Sequence, residues 1–186
     1  MKINQLCILF CLVLVAAFSS CEPNNPYDTG PAYDVAGNLA KDSLKIVGYL
    51  DTAQIDSLYR IYDPSGVVII VQEEGEGSRP IDGDMVYTDY IGSLMVDGVV
   101  FDTSIEQVAK DNDIYKENVK YETYGFVVLG QSSLPIGVSL GMRRLRSGSK
   151  ARLVIPSPYG FQDSEVKAGV PPNSVVIYDI SFRGMD

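Results

Sequence analysis

The sequence predicts an α+β domain: a curved antiparallel sheet of about five strands packed on one short helix, with a short N-terminal helical extension in front. Three observations carry this. The apolar spacing changes from helical to a two-residue alternation at Gly66. Asp97-Gly98 between β-branched residues is a hairpin turn. In the second half only "GVSLGMRRLRS" (Gly137 to Ser147) reads as a helix, and an antiparallel sheet needs one to cover a face.

The chain's 186 residues suit one domain with appendages. Met1-Lys2 and the apolar run Leu6 to Phe18 are too short for a membrane span, which takes about 20 apolar residues, but long enough for a secretory signal. The run ends in "FSSC" and resembles a bacterial lipoprotein signal, with Cys21 the lipidated first residue of the mature chain. Ordinary cleavage near Ser20 is the other reading. Cys7 and Cys11 would leave with the signal, and a lipidated Cys21 leaves no free thiol in an oxidising compartment. The expected location is the cell envelope, as a periplasmic or outer-membrane lipoprotein tethered without spanning.

Residues 1–20 are thus expected to be the signal and 21–35, rich in Pro, Asn and Gly, a tether. Residues 36–65 form the helical extension. In it Leu39, Ile46, Val47 and Leu50 make an apolar stripe behind an Asn38 cap, and Ile55, Leu58, Tyr59 and Ile61 lead to the turn "DPSG". The sheet domain occupies 66–186. Its strands are expected in "GVVIIVQEEGEG", "DMVYTDYIGSLM", "VVFDTS", "FVVLG" (Phe126 to Gly130), "KARLVIP" and "SVVIYDISF".

Composition narrows the chemistry. With no histidine, Ser-His-Asp and Cys-His nucleophiles and His-containing zinc sites are excluded. A net charge of −9 argues against nucleic acid as a partner. "DNDIYKEN" (Asp111 to Asn118) begins like a calcium loop, but Tyr115 and Lys116 occupy positions that need a ligand and a glycine. No metal or cofactor is expected.

From Gly66 to Phe182 the residues resemble the FKBP-type peptidyl-prolyl cis–trans isomerase family. The resemblance rests on ordered pieces: Gly83 to Gly92, "DGVVFDTS" at Asp97 to Ser104, Leu129-Gly130, Gly137 and Gly141, "GSKARL" at Gly148 to Leu153, Ile155-Pro156, and "PPNSVVIYDI" at Pro171 to Ile180. It implies a ring-lined site for a substrate proline, with Tyr90, Phe101, Asp102, Phe161 and Tyr178 as catalytic positions. Leu134, Pro135, Val138, Val170 and Tyr159 are the implied substrate-binding positions, with Phe161 and Tyr159 alternatives for one ring. No cofactor is implied, and the partners are proline-containing unfolded or exported polypeptides.

The resemblance also has departures. Val138 stands where the family has a Trp floor, and Pro135 lacks the N–H that the family offers a ligand. Gly125 replaces an aromatic, which Tyr124 or Phe126 would have to restore. An insertion, Ile105 to Gly125, lengthens the link after the "FD" strand. The alternative function is a non-catalytic binding module or holdase chaperone of the same fold on the cell envelope.

Overall fold

Val67 to Val71 are buried at every position, which a strand allows only when both faces of its sheet are covered. The structure, a computed structural model, describes residues 32–164 and 167–186; the signal segment and Cys21 lie outside the described residues. Its elements are α1 (Val35–Thr52), β1 (Tyr59–Tyr62), β2 (Val68–Glu73), β3 (Met85–Leu94), β4 (Val100–Thr103), α2 (Glu106–Asp111), β5 (Tyr124–Val127), α3 (Ile136–Met142), β6 (Lys150–Ile155) and β7 (Val176–Met185). A 3₁₀ turn spans Ser157–Tyr159. The architecture is α+β. The antiparallel sheet runs β1-β2-β6-β7-β3-β4, and β5 shares with β4 the outer edge of β3.

One face carries Val67, Ile69 and Val71 with the core under α3, where Val138 and Met142 are fully buried. Gly137 and Gly141 let α3 lie close to β6: a Cβ there would stand 2.3 Å from Ile155 and 2.6 Å from Leu153. The other face carries Val68 and Ile70 against Ile46 and Leu50 of α1. Successive strand side chains point to opposite faces, so one apolar run serves both layers.

Several expectations are corrected. Helix α1 begins at Val35, because Asp34 rather than Asn38 caps it, accepting from the Gly37 N–H at 2.8 Å. Its buried stripe is Asp42, Ile46 and Leu50, and Val47 is exposed. Tyr59–Tyr62, placed by spacing in the helical extension, pairs with β2 as a strand. Strand β5 starts earlier than expected and ends at Val127, since Leu129 turns the chain at φ 55°. Helix α3 stops at Met142, short of the expected Ser147, and the chain turns through Gly148 (φ 88°) into β6. The insertion folds a helix of its own, α2.

Asp42 fixes the strap. Its carboxylate, 1% exposed, accepts from the Ser157 N–H at 2.8 Å and the Ser157 hydroxyl at 2.5 Å, while Lys45 reaches its other oxygen at 2.8 Å. The Tyr33 hydroxyl lies 3.2 Å from Ser157 Oγ and donates to Asn173 Oδ1 at 3.0 Å, joining the same turn to the loop before β7. Asp42→Ala leaves the buried Ser157 N–H unsatisfied and its hydroxyl with Tyr33 alone, and a loss of about 1–3 kcal/mol is expected in urea unfolding.

Candidate active site

Gly92 of β3 lies opposite Asp102 of β4 and Tyr178 of β7. A Cβ on it would stand 3.0 Å from the Phe101 ring and 3.2 Å from the Tyr178 ring. The missing side chain is what lets these two rings close over the strand. Tyr178 is the middle of a row of five: Tyr124 to Tyr90 at 5.9 Å, Tyr90 to Tyr178 at 5.9 Å, Tyr178 to Phe101 at 6.0 Å, and Phe101 to Phe161 at 5.9 Å. These are edge-on or tilted contacts, the arrangement favoured by ring quadrupoles.

Tyr90, Phe101, Leu134, Val138, Val170 and Tyr178 belong to one buried cluster, with Tyr124, Tyr159 and Phe161 packed against it and partly exposed. The site therefore has a buried apolar floor and a rim of rings. Phe161 supplies the ring beside Phe101, while Tyr159 sits in the 3₁₀ turn. Tyr124 stands edge-on to Tyr90, and Phe126, 3% exposed, stacks behind it. Gly125 faces the Tyr87 ring instead. Pro135 is buried as the N-cap of α3, and its carbonyl accepts from the Val138 N–H at 2.9 Å.

One carboxylate stands at the rim. Asp102 Oδ2 accepts from the Tyr90 hydroxyl at 3.3 Å and from Lys167 Nζ at 2.5 Å. Its side chain is 20% exposed and that of Lys167 26%. Burial, then the charge of Asp102, holds the Tyr90 hydroxyl well above the ordinary tyrosine range. Burial first, and Asp102 and Tyr90 after it, push Tyr178 up as well. Both are neutral donors at any working pH. Lys167 escaped the sequence reading because nothing local marks a pairing across 65 residues.

The fold and this arrangement can now be set beside known proteins. A family model for the FKBP-type peptidyl-prolyl cis-trans isomerase matches residues 76–183. The chain belongs to that family. It is 41% identical over 91 residues to the short-type peptidyl-prolyl cis-trans isomerase of Methanocaldococcus jannaschii, covering 48% of this chain and 56% of that protein. It is 30% identical over 118 residues to the FKBP-type isomerase FkpA of Escherichia coli, covering 63% of this chain and 37% of FkpA. The crystal structure of FkpA from Escherichia coli superposes with a TM-score of 0.59 at 26% identity, covering 82% of this chain and 61% of that one. The chain thus spans about half or less of the length of the two sequence relatives it matches. The matched stretch holds most of the described residues, with α1, β1 and β2 ahead of it.

Among the described residues the Tyr178 hydroxyl is the one buried side-chain polar atom without a hydrogen-bond partner. Leaving such a group unpaired costs about 1–3 kcal/mol. Tyr178→Phe removes only that oxygen, so the variant is expected to be more stable by about 1 kcal/mol in denaturant titration, with an unchanged m-value.

Proposed function

We propose that the chain is a peptidyl-prolyl cis–trans isomerase acting on X–Pro bonds of polypeptides. The observation that carries the reading is the row of rings over Gly92, closed at its rim by an anchored carboxylate. The chemical task fits such a site. Amide resonance sets a rotational barrier of about 18–20 kcal/mol, and the unaided bond turns over in tens to hundreds of seconds. No covalent step is needed. A surface that grips the proline ring and strips water from the amide favours the twisted, less charge-separated state over the planar one.

In this reading the proline ring seats against Tyr124, Tyr159 and Phe161, above the floor of Tyr90, Phe101, Leu134, Val138, Val170 and Tyr178. Pro135 offers shape but no N–H. Asp102, tied to Tyr90 and Lys167, orients the polar groups that flank the proline. The same reading places the chain at the cell envelope, where Cys21 bears a lipid and the clients are unfolded or exported polypeptides. Among the described residues no helix is long and apolar enough to cross a membrane, and a tether would hold the domain at the surface without one.

A protease-free assay on an X–Pro peptide tests the activity. The chain is expected to accelerate isomerisation, and Asp102→Ala and Tyr90→Phe to lower kcat/KM by about tenfold each, a change of about 1.4 kcal/mol. An uncatalysed rate with the intact chain would overturn the reading. The rate is also expected to stay flat from about pH 6 to pH 8, because Tyr90 and Tyr178 are raised and remain protonated and no histidine titrates in that window. Tyr124, which burial raises but hydrogen bonds with Ser132 and Ser133 lower on balance, is the site tyrosine that ionises first above it. For the anchor, Cys21→Ala is expected to move the full chain from the membrane fraction to the soluble one. Unchanged fractionation would remove the lipid from the proposal.

A further inference from the structure

Strand β4 is an edge. Its ladder is with β3 alone, in the register Ile91 to Thr103 and Gly92 to Asp102. The Ser104 N–H bonds to the Tyr90 carbonyl at 3.1 Å, so the backbone of Ser104 faces β3. At Phe101 the ladder skips a residue, so that Gly92 pairs with Asp102 and Ser93 with Val100. By strand alternation the N–H and C=O groups of Thr103 face away from β3. On that side lies a cleft of about 630 Å³ between β4, the insertion and residues 167–169. Its far wall, from the insertion, is mixed: Ile114, Val119 and Tyr121 form an apolar strip beside Asn112, Asp113 and Lys116, and Val99 stands at one end. Val99 is 53% exposed and Val119 43%, so this face gathers large apolar groups at the surface.

The far wall is built. Ala109 of α2 is fully buried, and the Ile114 N–H bonds to its carbonyl at 3.0 Å. The rings of Tyr115 and Tyr121 stack at 5.5 Å, and the Tyr121 hydroxyl accepts from the Lys116 N–H at 3.0 Å. The loop thus holds its own shape and sets Ile114, Val119 and Tyr121 beside Asn112, Asp113 and Lys116 on the cleft. A strand edge opposite a wall with an apolar strip and polar flanks suits an extended polypeptide: its backbone bonds to the edge, and alternate side chains meet Ile114, Val119 and Tyr121. The four residues of β4 span about 13 Å, enough for about four residues of a guest.

We infer that this cleft binds, as an added strand on β4, the apolar segment that flanks the proline in the same polypeptide substrate. The continuity is direct, because the cleft is lined by Phe101 and Asp102, which also belong to the ring cluster and its rim. The inference rests on the proposed isomerase reading for the identity of the guest. The insertion thereby acts as a selector of extended apolar clients, beside a site that takes the prolyl ring alone.

The test uses the intact chain and two substrates, a short X–Pro tetrapeptide and a twelve-residue peptide with valine and leucine flanking the proline. Val119→Asp places a charge on the far wall, away from the ring cluster. It is expected to lower kcat/KM for the long peptide about tenfold and leave the tetrapeptide within twofold. Equal effects on both, or none on the long one, would overturn the inference. Binding is read separately by titrating the long peptide with its proline replaced by alanine. Wild type is expected to bind it, and N-methylation of alternate backbone amides is expected to weaken it about tenfold in one register and not in the other. Insensitivity to both registers would refute an added strand. A chain that binds this proline-free peptide but leaves the tetrapeptide rate uncatalysed would sink the isomerase reading and keep the cleft.

Discussion

Phe101 from β4 and Tyr178 from β7 meet over the backbone of Gly92, and the position of every other ring follows from that meeting. Strand β3 is bordered on one side by β7 and on the other by β4 and β5, so it is the common support for residues that are far apart in the chain. A side chain at position 92 would push on both Phe101 and Tyr178, at 3.0 and 3.2 Å, so that one or both rings must shift by a few tenths of an ångström. The absence of one Cβ therefore sets how closely the two central rings of the row approach. Close packing makes this sensitive, since a methyl group already displaces neighbours in a dense interior.

The layers on either side serve that row in different ways. Helix α3 closes the face that carries the rings, with Val138 and Met142 at zero exposure. Helix α1 covers the opposite face and grips the turn at Ser157 through the buried carboxylate of Asp42. That turn is followed directly by Gly160 and Phe161, so the rim ring stands on a segment fastened from outside the matched family region. The Tyr33 hydroxyl ties the same turn to Asn173, three residues beyond Val170. Both arms of the site are thus held by the N-terminal strap.

Much of this was legible in the sequence because the signals were local. The run Val67 to Val71, the Asp97-Gly98 turn and the alternation of β3 each state their own structure in a few residues. The ring positions were legible only through ordered resemblance, since a Tyr or Phe on a strand is equally a core residue. What stayed hidden depends on partners distant in the chain. "YRIY" is too short and too polar to announce itself as β1, and it becomes a strand by pairing with β2. Asp42 disguised the true stripe of α1, because its partner Ser157 is 115 residues away. The salt bridge of Asp102 with Lys167 left no trace for the same reason.

That salt bridge bears on how a carboxylate can belong to such a site. A planar amide is the more charge-separated form, so surroundings of low polarity favour the twisted state. A bare anion beside the amide would work against this by favouring separated charge. The charge at this rim is instead paired, Lys167 with Asp102 at 2.5 Å, while Arg152 and Asp179 pair on the opposite face of the sheet, where Arg152 also reaches the Tyr49 hydroxyl of α1. Paired, Asp102 presents a local dipole whose field falls off faster than that of a free charge, while it still holds the Tyr90 hydroxyl in place. The interior is left to rings, aliphatics and neutral hydroxyls. A carboxylate at the rim and an apolar floor are then compatible, because the lysine confines the field to the edge where the flanking peptide groups would lie.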